Sequence, residues 1–281
     1  MFFFLVFVIG IAWIFSYIFG NPSILYFAIG FSFIMNFFSY FFSDKVVLKM
    51  SGAKEIKREE NRELFDTVER LSRQAHLPVP KIYIMNEQSP NAFATGRNAK
   101  HSAVAVTSGL LNTLDQRELE GVIAHELSHI DNNDILISTI IVVLVGFISL
   151  LSDFFLRATF FRSLGRSDDN QAGSIMTIVG VILAILTPFV AMLIQLAISR
   201  KREFLADASA SSLTHNPSGL ASALEKISQA SIPLKKMSRA TAHLYISDPY
   251  KKKKSVGFLT KAFMTHPPIE DRIRILRGGR V

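Results

Sequence analysis

The chain has no cysteine among its 281 residues. That excludes disulfides and every thiolate metal site, so a bound transition metal would have to be held by histidine and carboxylate. Charge is missing too, but only in blocks: residues 1–43, 135–152 and 170–199 hold no Asp, Glu, Lys or Arg. No internal repeat stands out. The first apolar run has no basic stretch ahead of it and no small-x-small pattern after it, which makes a removable signal peptide the weaker reading of that run.

What is present in excess is apolar surface. Hydrophobic residues make up 49% of the chain and 24 residues are Phe, and the mean hydropathy of +0.30 exceeds what an ordinary soluble core absorbs. A hydrocarbon layer of about 30 Å needs roughly 20 apolar residues of helix, and four segments qualify: 2–19, 24–42, 135–155 and 175–199. Gly20, Asn21, Pro22 and Ser23 form a turn between the first two, so these read as a helical hairpin. The third and fourth could instead be buried helices of a soluble core, but their uncharged length leaves no wet face.

The basic residues beside these spans set an expected orientation. Lys45, Lys49, Lys54, Lys57 and Arg58 follow the second span and Arg200, Lys201 and Arg202 follow the fourth, against Arg157, Arg162 and Arg166 between the third and fourth. The heavier basic load assigns residues 44–134 and 200–281 to the cytoplasm. The organisation expected is a membrane hairpin over 1–43, a cytosolic part over 44–134, two further spans with their loop over 135–199, and a second cytosolic part over 200–281. The net charge of +8 comes without a basic stripe interleaved with aromatics or a nucleic-acid motif. A lipid bilayer is therefore the expected partner, and nucleic acid is not.

In the first cytosolic part, residues 53–74 carry Ile56, Leu64, Val68 and Leu71 among many charges and predict an amphipathic helix. Residues 81–85 read as a strand, and 92–95 with 102–107 as an antiparallel pair around 96–101. Asp115 followed three residues later by Glu118 is a capping box for a helix bearing Leu119, Val122, Ile123, Leu127 and Ile130. That helix carries His125-Glu126-Leu127-Ser128-His129. In this H-E-x-x-H pattern the two histidines fall one turn apart on one face, where they can grip one zinc, and the glutamate is placed to take a proton from a zinc-activated water. The alternative is a pair of ordinary core or solvated histidines on a capped helix.

Catalytic zinc takes three protein ligands and keeps a fourth position open, so a His, Asp or Glu must come from elsewhere. Glu203 and Asp207 are i, i+4 neighbours directly after the fourth span, and spans three and four return the chain to the same membrane surface. Glu203 is thus either the third ligand or an acid paired to Arg200 or Arg202. Asp207 suits the role of accepting the spare N–H of a ligating imidazole.

These residues resemble a known family. The stretch Val122-Ile123-Ala124-His125-Glu126-Leu127-Ser128-His129-Ile130-Asp131-Asn132-Asn133-Asp134, then Ser199 to Ala208, then Thr265-His266-Pro267-Pro268-Ile269-Glu270-Asp271-Arg272-Ile273, are similar to the HtpX heat-shock membrane metalloproteases, relatives of the CAAX prenyl endoproteases. The resemblance covers essentially the whole chain. It implies a mostly helical α+β chain with a zincin-like gluzincin peptidase domain and four transmembrane helices. It also implies one zinc per chain held by His125, His129 and Glu203, with Glu126 as general base. His266 is then expected to help stabilise the oxyanion, although two following prolines equally suit a structural turn. Arg272 is expected to anchor this segment through Asp207 or Asp134. Asn91, Ala92, Phe93 and Ala94 resemble the edge strand that pairs with an extended substrate. The activity implied is hydrolysis of peptide bonds in misfolded or unassembled membrane proteins. A processing protease with a defined substrate and a metal-stabilised scaffold are the competing readings, the latter at odds with a spare glutamate beside the metal.

Overall fold

A computed structural model describes residues 20–141, 200–230, 246 and 267–279, with residues 5, 6, 9, 10, 12, 13, 16 and 17. The element order is α1 (Ser23–Met50), β1 (Ala53–Glu55), α2 (Arg62–Gln74), β2 (Lys81–Met85), β3 (Ala92–Asn98) and β4 (His101–Thr107). Then come α3 (Ser108–Thr113), α4 (Gln116–Asp131), α5 (Arg200–Thr214), α6 (Pro217–Gln229) and α7 (Ile269–Leu276). Most of the expected first and third spans, all of the fourth and the loop joining the third to the fourth lie outside the described residues, as does His266.

Helix α1 has 28 residues and at 1.5 Å per residue is about 42 Å long, more than a bilayer core requires. Its upper part exposes Tyr26, Phe27, Phe33, Ile34 and Phe37, whereas Val47 and Leu48 at its lower end are buried. The helix therefore passes from a lipid-compatible stem into contact with the sheet, touching β1, β3 and β4. Among the described residues it is the one helix long and apolar enough to cross a membrane.

The described strands form one sheet in the order β1-β2-β4-β3. β1 and β2 are antiparallel, β2 and β4 parallel, and β3 and β4 antiparallel. β4 is central, and Ala103, Val104, Ala105 and Val106 are all buried there, as befits a strand covered on both faces. β3 lies at the edge. The strands expected around residues 96–101 run further toward each other than the sequence pattern implied, meeting at Asn98 and His101.

The helix expected over 53–74 is shorter than its apolar spacing suggests. Ala53, Lys54 and Glu55 pair with β2 instead, and the helix begins only at Arg62, where the Asn61 side chain accepts the Leu64 N–H at 3.0 Å. Strand pairing and this cap together outweigh the helical spacing of Ile56.

Helix α4 is built as its capping box predicts, with Asp115 accepting from the Glu118 N–H and Glu118 from the Asp115 N–H. Glu118 is also buried and accepts from Ser222 Oγ at 2.6 Å and Lys226 Nζ at 2.7 Å. One carboxylate thus starts α4 and ties it to α6. The two helices approach so closely that a Cβ on Gly121 would stand 2.9 Å from the Leu220 Cα, a clash with backbone rather than with a movable side chain. Gly121→Ala is expected to cost about 1–3 kcal/mol, read as a lowered melting midpoint in detergent; an unchanged midpoint would mean that α4 and α6 separate freely.

Candidate metal centre

Eleven residues of α4 are buried, from Glu118 to Ile130, and its contacts with α5, α6, α2 and β3 hold it on all sides. His125 and His129 lie one turn apart on this fixed helix. Their rings meet edge to face with centroids 4.7 Å apart, and the two Nε2 atoms are separated by 3.2 Å.

Glu203 comes to the same point from α5. Its Oε2 is 3.7 Å from His125 Nε2 and its Oε1 is 3.5 Å from His129 Nε2. The ligand atoms of His125, His129 and Glu203 all lie within 4.8 Å of one another. Two nitrogens bonded to one tetrahedral zinc at about 2.0–2.1 Å stand about 3.3 Å apart, which matches the observed separation.

The other nitrogen of each ring is already committed. His125 Nδ1 is 3.0 Å from Asp207 Oδ1, and His129 Nδ1 is 3.1 Å from Asp134 Oδ2. Carboxylates accept, so each Nδ1 carries the proton and each Nε2 presents a lone pair. Two lone pairs facing at this distance repel unless a cation lies between them, and the three donors fit zinc on that ground. The surrounding charges favour a cation at this point. Burial would lower the His129 pKa, but the hydrogen bond His129 donates to Asp134 and the charges of Glu203, Glu126 and Asp134 outweigh it and, with no metal bound, raise it to about 9, so a proton takes the place of the metal there.

Behind the histidines lies a buried Arg272 on α7, 1% exposed. Its Nε and Nη2 donate to the two oxygens of Asp207 at 2.8 and 2.6 Å, and its Nη1 stands 3.5 Å from Glu203 Oε2. Burial would raise the Asp207 pKa, yet the charge and hydrogen bonds of Arg272, with those of His125, bring it down to about 2. Of the two anchors the sequence allowed for Arg272, Asp207 is the one it reaches.

Asp134 has a different task, which the sequence reading missed. It orients His129 and receives Arg202 Nη1 at 3.3 Å. The turn after α4 makes this possible: Asn133 has φ +57°, a left-handed conformation that Asn tolerates better than most residues, and it sends the chain back so that Asp134 faces the preceding helical turn. An asparagine pair followed by an acid just beyond the motif was the available signal.

Glu126 is 3% exposed beside this cluster. Burial raises its pKa, opposed by the two histidines and by the backbone N–H of Ala94. That contact sets Ala94 of β3 beside Glu126, with Asn91, Ala92 and Phe93 just before it in the chain and, like it, buried. Five of the expected residues, His125, Glu126, His129, Glu203 and Asp207, thus meet in space.

The model of peptidase family M48 matches residues 58–279. The chain belongs to this family. A protease HtpX homolog of Dictyoglomus thermophilum is 50% identical over 245 residues, 87% of this chain and 78% of that protein. One from Caldanaerobacter subterraneus subsp. tengcongensis is 42% identical over 277 residues, 98% and 90% of the two chains, and one from Tropheryma whipplei is 48% identical over 238 residues, 85% and 79%. The crystal structure of S. mikatae Ste24p shares the fold with a TM-score of 0.54 at 19% identity; the match covers 95% of this chain and 62% of that one. As an M48 member this chain is a metalloendopeptidase.

In this M48 chain the carboxylates behind the imidazoles can be separated from the donors themselves. Asp134→Asn removes the charged acceptor from His129 Nδ1 and is expected to weaken zinc affinity about 10–100-fold in a competition titration against a chelator. Wild-type affinity would rule out the orienting role given to Asp134.

Proposed function

We propose that this chain is a membrane-embedded zinc endopeptidase that hydrolyses peptide bonds in misfolded or unassembled membrane proteins from the cytoplasmic side. The observation that carries this reading is the convergence of His125 Nε2, His129 Nε2 and the Glu203 carboxylate with a buried Glu126 next to them that is not needed to complete the donor set. A purely structural site has no use for such a residue.

His125, His129 and Glu203 would hold the zinc, and Asp207, Asp134 and Arg272 keep those side chains in place. When bound, zinc supplies the Lewis acidity that lets water attack a carbonyl near neutral pH. Glu126 takes the proton from the attacking water and hands it to the departing amine, and its raised pKa suits both halves of that transfer. The substrate backbone pairs with the outer side of β3 along residues 91–94, which gives affinity without strong dependence on sequence. His266, by its resemblance to the family motif, donates to the oxyanion.

The apolar stem of α1 and the uncharged runs of the sequence support four spans. The basic residues beside them support a cytoplasmic site in a cytoplasmic membrane. A site held at that surface draws its substrates from chains in or near the bilayer.

Glu126→Gln is expected to keep a full complement of zinc and to lose at least about 100-fold in casein cleavage, whereas His129→Ala and Glu203→Ala lose both metal and activity. Metal analysis of protein purified without chelator, paired with the cleavage assay, reads both quantities. Wild-type cleavage by Glu126→Gln would refute the mechanism. In proteoliposomes, a destabilised multi-span membrane protein is expected to be degraded faster than its folded counterpart; equal rates would count against quality control.

A further inference from the structure

β3 has one side on β4 and one side free of the sheet. The backbone groups on the free side belong to alternate residues. The Ala94 N–H there reaches Glu126, and the Gly96 N–H reaches Thr139 Oγ1 at 3.4 Å. The Ala92 carbonyl, on the same side, accepts the backbone N–H of Ile246 at 3.2 Å.

Ile246 is held at two further points. Its carbonyl accepts from Arg272 Nη1 at 3.3 Å, the same nitrogen that lies 3.5 Å from Glu203 Oε2. Its side chain is 2% exposed and belongs to the main apolar cluster. One residue of this chain therefore has its N–H on the edge strand, its C=O on a guanidinium that touches a metal-site carboxylate, and its side chain in an apolar seat. An extended polypeptide needs those same three things beside a reacting carbonyl: backbone pairing for affinity and a pocket for specificity.

We propose that Ile246 is an internal occupant of the substrate cleft, holding the Ala92 carbonyl, the Arg272 Nη1–H and the apolar seat that a substrate residue next to the scissile bond takes. This rests on the proteolytic reading above and deepens it in two ways. A substrate must displace Ile246 before it binds, so the cleft is self-competing. The seat fits an aliphatic side chain, so cleavage favours substrates with Ile, Leu or Val flanking the scissile bond and disfavours Asp there.

A cleft whose competent form is a minor fraction binds with an affinity reduced by that fraction. Full-length protein with zinc in detergent, assayed on internally quenched peptides, tests both parts. Ile246→Ala is expected to lower KM about tenfold with kcat and zinc content near wild type, and Ile246→Val to restore the wild-type KM. A KM that is unchanged or raised in a folded, zinc-loaded Ile246→Ala protein would overturn the occupancy and leave Ile246 as core packing. If that variant does not fold, the wild type decides: peptides varied at the two positions flanking the cleaved bond are expected to show aliphatic residues preferred over Asp by at least about tenfold at one of them, and equal rates overturn the proposal. Glu126→Gln run in parallel separates the two readings. If neither wild type nor Ile246→Ala exceeds it, proteolysis itself fails and this inference with it; if both exceed it without the KM difference and without the aliphatic preference, proteolysis stands and the occupancy of the cleft by Ile246 is refuted.

Discussion

The ion pair between Arg272 and Asp207 is the contact on which the rest of the site depends. Both side chains are almost wholly buried, so neither can be left alone: removing one partner of a buried pair costs about 3–5 kcal/mol because the other charge stays desolvated. The bidentate geometry leaves Asp207 one way to face, and that direction is His125 Nδ1. A contact between α5 and α7 thereby sets the tautomer of a histidine on α4. The same guanidinium also stands beside Glu203 and on the Ile246 carbonyl, so one cation coordinates a donor carboxylate, an orienting carboxylate and a peptide group.

The second constraint is attachment to the membrane. Thr139, in the helical turns that open the third apolar run, has its hydroxyl 2.9 Å from Thr95 Oγ1 on β3. Arg97 at the far end of β3 lies over the ring of Phe41 at 5.1 Å, near the base of the α1 stem. The edge strand is thus braced by two elements that lead into apolar sequence. Its free side faces Glu126, so this edge is fixed between the candidate metal centre and the apolar stem of α1.

Glu126, Asp134, Glu203 and Asp207 all lie around the two histidines. Glu203, Asp134 and Glu126 together raise the proton affinity of His129, which is the electrostatic preference of a place built to receive a cation. Arg272 and Arg202 limit the resulting negative charge through Asp207 and Asp134, and Arg272 also stands 3.5 Å from Glu203 Oε2 and 3.4 Å from the ring nitrogens of His125.

Local rules made much of this legible in the sequence. The capping box starts α4, the i, i+4 spacing puts His125 and His129 on one face, and Glu203 and Asp207 share a face of α5 for the same reason; each depends on residues within one or two turns of each other. The apolar stem of α1 follows from uncharged length alone. The early end of the 53–74 helix did not follow, because pairing of Ala53, Lys54 and Glu55 with β2 competes with helical spacing across a gap that spacing does not describe. The partner of His129 required the reversal at Asn133, and the choice of Asp207 over Asp134 for Arg272 required knowing which helix packs on which. The seating of Ile246 on Ala92 joins residues more than a hundred positions apart. By itself the sequence placed His125, Glu126 and His129 on one capped helix and marked the membrane-compatible runs, since these rest on periodicity and on residue chemistry; Glu203 stayed one of two readings there, and only the fold brings it to the histidines. Tertiary structure alone decided which carboxylate orients which histidine and what lies along the free edge of β3, because those contacts are selected by burial, where an unpaired charge or peptide group is too costly to leave.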